Sequence, residues 1–146
     1  MTPSEIRFAA DGMLRSLATW LRLLGYDCAA PPEISGRKLL EQATAEKRVF
    51  LTCNAHLTDT LPHSLLTKAN IFHLAGGCLS DQLREVALKF SLDTDAFTFT
   101  RCLLCNELLQ RTDEKFWRCP RCEKTFWRSS HVANSLAHLQ TWLTPR

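Results

Sequence analysis

The sequence lacks any long hydrophobic run and any sign of a secretory leader. Although 45% of its 146 residues are hydrophobic, no stretch approaches the roughly 18 consecutive apolar residues of a membrane span. The first residues, MTPSEIRFAADG, lack the basic start and the apolar core of a signal sequence. We therefore expect a globular protein with an ordinary packed core, no membrane partner and a cytoplasmic location.

The chain also lacks an even number of cysteines, since it has seven. An odd number argues against a framework of disulfides alone. Cys28, Cys53 and Cys78 are scattered in apolar surroundings. The other four form two C-x-x-C pairs with 13 residues between the pairs: Cys102, Cys105, Cys119 and Cys122. Reduced thiols, four of them on a metal ion, fit this pattern better than disulfides.

The paired cysteines have the spacing of a zinc ribbon. Each C-x-x-C places two thiolates on one tight turn, and two such turns complete a tetrahedron around Zn²⁺. A redox C-x-x-C would not need a twin at this spacing, and cytosolic disulfides are rare. Four thiolates close the coordination shell, so we predict a structural zinc ion with no open position for catalysis.

Strand and helix patterns alternate along the first two thirds of the chain. The run RVFLTC (48–53) is apolar enough for a fully buried strand. The segment 13–25 predicts a helix that ends at Gly25. Its apolar face contains Leu14, Leu17, Ala18, Leu21 and Leu24. Repeated strand-helix alternation of this kind predicts an α/β fold, with a parallel sheet flanked by helices.

The sequence pattern changes in the last third of the chain, where short strand-like segments surround the cysteine pairs. Residues 129–143 then predict a closing helix, with Ser129 or Ser130 as its N-cap. We predict an α/β domain over residues 1–95. A small zinc ribbon with its C-terminal helix would then occupy residues 96–146.

Positive charge is concentrated in that last third. The formal net charge is +3, yet residues 1–98 hold 10 Lys and Arg against 11 Asp and Glu, and residues 99–146 hold 8 against 4. The segment KFWRCPRCEKTFWRSSH (115–131) interleaves cations with Phe and Trp, whose faces suit unstacked bases. The candidate RNA-binding residues are Arg118, Arg121, Lys124, Arg128 and His131. An equally open interpretation makes the aromatics the ribbon's own core and the cations its solvated side.

Two polar residues follow predicted strands of the first domain. Asp11 comes after the strand at 6–10, where a carboxylate at the sheet edge can hold Mg²⁺ or Mn²⁺. Asp is also a favoured helix N-cap, and the local pattern by itself favours that role. Asn54 follows the buried strand and is either a turn residue or part of the same site.

Four segments, in order, resemble one known family: RFAADGMLRSLATWLRLLGYD, RVFLTCNAHL, FTRCLLCNELL and FWRCPRCEKTFWRSSH. Together they resemble the PIN-like ribonuclease domain with an appended zinc ribbon, known from the C-terminus of the exonuclease Mut-seven. The resemblance extends from about residue 6 to residue 140. It implies metal-dependent RNA cleavage, in which three or four carboxylates hold divalent ions that activate water. Asp11 matches the first family carboxylate.

The chain departs from the family pattern at two other carboxylates. The family has an acidic pair before the second helix, where residues 35–38 read SGRK. It also has a T-R-D triplet after the third strand, where this chain ends the triplet in Asn54. A neutral amide is a far weaker ligand than a carboxylate for a hard cation. Three other acids can substitute in principle: Glu33, Asp59 and Asp81.

We therefore expect an RNA-binding protein derived from a ribonuclease, with nuclease activity lost or weak and an RNA or ribonucleoprotein partner. Two alternatives stay open. An active ribonuclease would use Asp11, rearranged acids and Mg²⁺ or Mn²⁺. An adaptor would dock a protein partner through the ribbon and the apolar stripe of helix 129–143, although such stripes usually face the chain's own core.

Overall fold

A four-stranded parallel sheet forms the centre of the first domain. The computed structural model describes residues 6–34, 36–93, 98, 100–113, 116–127, 134, 137–138 and 140–142. The strands are β1 (Arg7–Ala10), β2 (Asp27–Ala29), β3 (Val49–Thr52) and β4 (Asn70–His73), in the order β2-β1-β3-β4. The helices are α1 (Arg15–Leu23), α2 (Gly36–Ala45), α3 (His63–Lys68) and α4 (Leu79–Phe90), with 3₁₀ turns at Gly12–Leu14 and Leu57–Thr60. The predicted α/β fold is confirmed.

The side chains of β1 and β3 alternate between two cores, one on each face of the sheet. Phe8 and Leu51 join the core covered by α1 and α4, whereas Ala9 and Phe50 join the core under α2 and α3. All four positions of β3 are buried, as its continuous apolar run predicts. Helices therefore cover both faces of the sheet.

The end of α1 sets the position of the edge strand β2. Gly25 has a φ of +99°, a conformation that glycine adopts without strain. Its N–H donates to the carbonyl of Arg22, and the N–H of Tyr26 donates to the carbonyl of Leu21 at 3.0 Å. These two bonds form a Schellman motif, which ends the helix and reverses the chain. Tyr26 is buried directly after the turn, and β2 begins at the next residue.

The ribbon is a three-stranded antiparallel sheet in the order β5-β6-β7. Its strands are β5 (Gln110–Arg111), β6 (Phe116–Arg118) and β7 (Thr125–Trp127). The two cysteine pairs lie outside these strands, before β5 and between β6 and β7. This small sheet with a cysteine cluster is consistent with the predicted zinc ribbon.

The closing helix contacts α1 and α4 through Trp142. Its described residues are 134, 137–138 and 140–142. The ring centroid of Trp142 lies 4.9 Å from the ring centroid of Trp20 on α1. Its backbone carbonyl accepts a 2.6 Å hydrogen bond from Nε of Arg84 on α4. The predicted N-caps, Ser129 and Ser130, lie outside the described residues.

Within the described part of the chain, no helix is long and apolar enough to span a membrane.

Candidate functional site

Asp11 lies where β1 ends, at the carboxyl edge of the sheet. Its carboxylate accepts hydrogen bonds from the backbone N–H of Gly12 at 2.8 Å and from the hydroxyl of Thr52 at 3.1 Å. The first bond caps the 3₁₀ turn, as the N-cap preference of Asp predicts. Only 9% of the residue is exposed. The carboxylate is thus held in place by the turn and by β3.

Asn54 lies at the same edge, after β3, and has a structural task there. Its backbone N–H donates to Oγ1 of Thr52 at 3.0 Å. Its side-chain Oδ1 accepts from the backbone N–H of His56 at 3.1 Å, which is the hydrogen bond of an Asx turn. The Thr52 hydroxyl therefore links the two predicted positions, because it donates to Asp11 and accepts from Asn54. Asn54 has the geometry of a turn residue beside Asp11.

The other candidate carboxylates do not gather around Asp11. Asp59 contacts Nδ1 of His56 at 3.0 Å, and Asp81 contacts Arg84 at 3.4 Å. Glu33 is exposed in the loop after β2. In the part of the chain that the structure describes, the four cysteines form the one group of three or more potential metal ligands.

The start of α2 carries cations where the family has its acidic pair. Arg37 and Lys38 are both exposed in the first turn of this helix, and Ser35 lies outside the described residues. Arg37 forms an exposed ion pair with Glu41 one turn later, at 2.8 Å. Helices that follow parallel strands begin at the carboxyl edge. Lys38 therefore adds positive charge on the side where a metal would be held, whereas the charge of Arg37 is balanced by Glu41.

The four paired cysteines are positioned to hold a metal ion. Their sulfur atoms all lie within 4.8 Å of one another. The sulfurs of Cys102 and Cys122 are 3.8 Å apart, which matches the edge of a tetrahedron with metal–sulfur bonds of about 2.3 Å. The N–H groups of Cys105 and Cys122 each approach the first sulfur of their own pair at 3.4 Å. This geometry is compatible with structural zinc.

The two C-x-x-C turns share one backbone design. The N–H of Cys102 and the N–H of Cys119 each donate to the carbonyl five residues later, at 2.8 and 3.0 Å. Asn106 and Glu123, which follow the two turns, have φ angles of +67° and +64°. Positive φ is uncommon outside glycine and is easier for Asn than for most residues. The chain therefore forms both ligand turns with the same hydrogen bonds, and the two differ in the side chain that follows.

Burial and backbone hydrogen bonding act oppositely on the thiols of this group. Burial raises the pKa of the Cys102 thiol. A hydrogen bond from the Lys124 backbone lowers the pKa of Cys122 to about 7. Because metal ligands are thiolates, metal binding releases the remaining protons.

The three scattered cysteines differ in their surroundings. Cys28 is fully buried in β2, and burial raises the pKa of its thiol to about 12, so it is an inert core residue. Cys53 is half-buried and packs against the core under α1 and α4. The prediction of apolar surroundings was wrong for Cys78, which is exposed and contacts the side chains of Ser80 and Asp81 at the start of α4.

The first ligand turn is joined by hydrogen bonds to the edge strand β2, a contact that sequence reasoning missed. Oδ1 of Asn106 accepts from the backbone N–H of Cys28 at 3.0 Å, and its Nδ2 donates to Asp27 at 2.6 Å. The guanidinium of Arg22 on α1 donates to the carbonyls of Cys28 at 2.9 Å and Leu103 at 2.8 Å. Backbone groups on an edge strand otherwise face solvent, so the ribbon protects this edge. The sequence feature that could have indicated this contact is the Asn directly after Cys105.

Asp27 connects this contact to the sheet. It accepts from Asn106 and from Nη1 of Arg48, the latter at 2.7 Å, and Arg48 also donates to the carbonyl of Phe8. Burial alone raises the pKa of Asp27, but the hydrogen bonds from Arg48 and Asn106 and the charge of Arg48 together hold this pKa below its ordinary value. The ionised carboxylate is therefore favoured in the folded state.

A lowered pKa in the folded state makes the Asp27 contribution depend on pH. We expect Asp27→Asn to reduce the free energy of unfolding by about 2 kcal/mol at pH 7, because it removes one of the two carboxylates paired with the half-buried guanidinium of Arg48 and leaves Glu46 as the other. The stabilisation is present above the unfolded-state pKa and is lost as the pH falls through the folded-state pKa. The difference from wild type, measured by urea denaturation, should shrink below pH 3.8, the ordinary value for Asp27. The matched control is Glu41→Gln, in an exposed pair, and a pH-independent difference for Asp27→Asn would contradict this assignment.

A cavity of about 590 Å³ lies along the seam between β2 and the ribbon. Its charged lining consists of four arginines and four acids: Arg22, Arg48, Arg101, Arg121, Asp27, Glu33, Glu46 and Glu107. Since the opposite charges are equal in number, the cavity has no net attraction for an anion. It is a polar seam that includes the Asp27 network.

The predicted RNA-binding residues lie on the exposed surface of the ribbon where they are described. Arg118 forms an ion pair with Glu123 at 3.1 Å, Arg121 approaches Glu107 at 3.8 Å, and Lys124 is exposed. Exposed pairs of this kind contribute little free energy, so a phosphate can compete for the cations. The remaining two candidates lie outside the described residues: Arg128 and His131. The RNA-binding role of these residues stays a prediction.

Comparison with known proteins agrees with the motifs and with the fold. The family described as Mut7-C RNAse domain matches residues 6–115. The match includes the parallel sheet and the first cysteine pair, and it ends before Cys119. No curated protein and no solved structure matches the chain. The description of the family as a ribonuclease domain indicates an RNA-related, nuclease-like role. Since the match extends over most of its length, the chain belongs to the Mut7-C RNAse domain family.

Proposed function

We propose that this protein binds RNA through a ribonuclease-type fold whose own hydrolytic activity is weak or lost. Family membership supports a role with RNA. The observation that carries the loss of hydrolysis is the composition of the carboxyl edge. Asp11 is held there by the Gly12 N–H and the Thr52 hydroxyl, and the neighbouring Asn54 offers an amide that is engaged in its own turn.

Metal-dependent hydrolysis needs more negative charge than this edge offers. Mg²⁺ and Mn²⁺ prefer several oxygen ligands, and the metal must stabilise both the attacking water and the leaving oxygen. Asp11 supplies one carboxylate, and the amide of Asn54 supplies no charge. Lys38, at the start of α2, opposes binding of a dication at this edge, and the charge of Arg37 is balanced by Glu41. Weak metal retention is the expected consequence.

A manganese-dependent cleavage assay on single-stranded and structured RNA tests this proposal. We expect cleavage close to the protein-free background. Asp11→Asn should change neither this rate nor RNA affinity by more than about twofold, because the residue is only 9% exposed and Asn keeps an oxygen that can cap the turn. Asn54→Asp alone should not restore strong cleavage, because the acid before α2 is also absent.

Robust cleavage that disappears in Asp11→Asn would overturn the proposal and favour the active-ribonuclease alternative. Asn is the matched replacement, since it keeps the shape and a cap oxygen of Asp11 and removes the charge. Fluorescence anisotropy on the same RNAs measures binding directly, so it tests RNA binding independently of cleavage.

We also propose that the ribbon's metal is Zn²⁺ with a structural role. Four cysteine thiolates close a tetrahedral shell, and the sulfur separations fit Zn–S bonds. Thiolates hold a metal only while reduced, so a reducing compartment such as the cytoplasm is part of this proposal. The proposed division assigns the sheet to residues 1–95 and the metal-bearing ribbon with the closing helix to residues 96–146.

The adaptor alternative receives less support from the closing helix. Trp142 contacts Trp20 and accepts a hydrogen bond from Arg84, so the described end of the apolar stripe packs on the chain's own core. At Trp142, the stripe is therefore not available to a protein partner. We therefore retain RNA as the proposed partner.

A further inference from the structure

One face of the ribbon sheet is exposed at every position that the strands place on it. Phe116 pairs with Trp127 across β6 and β7, and Arg118 pairs with Thr125 on β7 and with Gln110 on β5. Residues two apart on a strand, and residues directly opposite, share one face of a sheet. We call these five residues the outer face, and all of them are exposed.

The opposite face serves the ribbon's own packing. Trp117 and Phe126 are paired across β6 and β7 and are half-buried. The guanidinium of Arg111 lies 5.9 Å from the centroid of the Trp117 ring. The aromatics of the ribbon therefore divide by face: one pair is half-buried, and the other pair is exposed.

The exposed pair has the form of a stacking surface. Phe116 is 39% exposed and Trp127 is 54% exposed. Their ring centroids lie 6.5 Å apart with an interplanar angle of 62°, an edge contact in which neither ring covers both faces of the other. Adjacent exposed aromatics on a small module indicate a binding surface.

The net positive charge of residues 99–146, which hold 8 Lys and Arg against 4 Asp and Glu, favours a polyanion over an apolar protein surface. Next to the aromatic pair itself both signs occur, since Asp113 accepts from the N–H of Phe116 at 3.2 Å. Arg118 lies on the outer face, two residues from Phe116, and Lys124 immediately precedes β7. The ion pair of Arg118 with Glu123 is exposed, with 48% and 72% of the two side chains accessible. A phosphate can replace Glu123 there, because exposed pairs are weak and arginine–phosphate bonds are charge-assisted.

We infer that the outer face, through Phe116, Trp127 and Arg118, stacks unpaired bases of single-stranded RNA and binds the adjoining phosphate. This inference rests on the proposed RNA-binding function and specifies its surface and its ligand. Sheets with exposed aromatics stack bases in RNA-binding modules, and a duplex hides the base faces that stacking requires. The preferred ligand is therefore a single strand.

Fluorescence anisotropy with a labelled single-stranded RNA, and with a duplex of the same sequence, tests the inference on the full, metal-loaded chain. We expect Trp127→Ala and Phe116→Ala each to weaken single-strand binding roughly tenfold, and duplex binding by less than about twofold. Trp127→Leu keeps apolar bulk without a π face and should weaken binding like Ala. Trp127→Phe should stay within about threefold of wild type.

Two further variants separate stacking from charge and from general loss of apolar surface. Arg118→Gln should reduce the slope of log affinity against log salt by about one, whereas Trp127→Ala should leave this slope unchanged. Leu88→Ala removes a side chain that is 69% exposed on α4 and should not alter RNA binding. Metal content and circular dichroism of each variant report whether the ribbon is intact.

The outcomes distinguish this inference from the proposed function. If the wild-type chain binds neither RNA, the proposed function and the inference fail together. If the wild type binds RNA and the aromatic variants bind it equally well, or if Trp127→Leu binds as tightly as Trp127→Phe, the stacking surface is overturned and the proposed function stands. Equal losses for duplex and single strand would also overturn it.

Discussion

Removal of the metal should unfold the ribbon and accelerate hydrogen exchange at the backbone of β2. The ribbon's strands contain two or three residues each, and metal binding supplies roughly 10 kcal/mol or more of folding free energy in such modules. Once the ribbon unfolds, the N–H of Cys28 loses its acceptor on Asn106. We expect this amide to exchange about tenfold faster after chelation, which corresponds to a local loss of roughly 1.4 kcal/mol.

Hydrogen exchange followed by mass spectrometry can resolve β2 from the inner strands. Cys119→Ser, which removes one ligand, should reproduce the effect of the chelator. Cys78→Ser changes an exposed cysteine outside the metal group and is the matched control. The β3 strand should stay protected in every case, because it lies between β1 and β4. Full protection of β2 after the metal has been removed would show that the ribbon does not cover this edge.

The elements with local signals were predictable from the sequence. Apolar residues at helical spacing predicted the buried face of α1, and Gly25 marked its end because the Schellman turn needs a positive φ. The cysteine quartet was predictable because a C-x-x-C turn already brings two sulfurs together.

Contacts between distant parts of the chain were not predictable in this way. Asn106 meets Asp27 and Cys28, which lie 79 and 78 positions earlier in the sequence. No periodicity or spacing specifies such a partner. The division of the ribbon aromatics was hidden for a related reason: Phe116 and Trp117 are adjacent, so composition cannot tell which one faces outward, and strand pairing decides it.

The candidate catalytic edge was predictable from the sequence only in part. The family pattern marks position 54 as a missing carboxylate, and this remains an interpretation of a difference in charge. The structure adds that the Asn54 side chain accepts from the His56 N–H and that its backbone bonds to Thr52. An Asp can also form an Asx turn. The turn itself therefore does not require Asn, and the loss of charge, rather than of shape, is the informative change.

Replacement of Asn106 by Gly should destabilise the protein far more than the same replacement of Glu123. The two residues occupy equivalent positions after the two ligand turns, with φ angles of +67° and +64°. Gly accommodates both backbones, so the comparison isolates the side chains. Asn106→Gly leaves the Cys28 N–H without its acceptor and removes one of the two side-chain hydrogen bonds to Asp27, which keeps its bond from Arg48. We expect a loss of about 2–3 kcal/mol. Glu123→Gly removes an exposed ion pair with Arg118, which contributes about 1 kcal/mol or less.

Zinc affinity provides a second measurement that a purely local defect in the sheet would not change. Because docking on β2 stabilises the first ligand turn, loss of the Asn106 side chain should weaken zinc binding, measured by competition with a chelator. A coupling of 2–3 kcal/mol corresponds to roughly 30- to 150-fold in affinity, whereas Glu123→Gly should change it less than about fivefold. Equal effects of the two variants on stability and on zinc affinity would mean that the two turns are equivalent. The contact of Asn106 with β2 would then carry no coupling between the metal and the sheet.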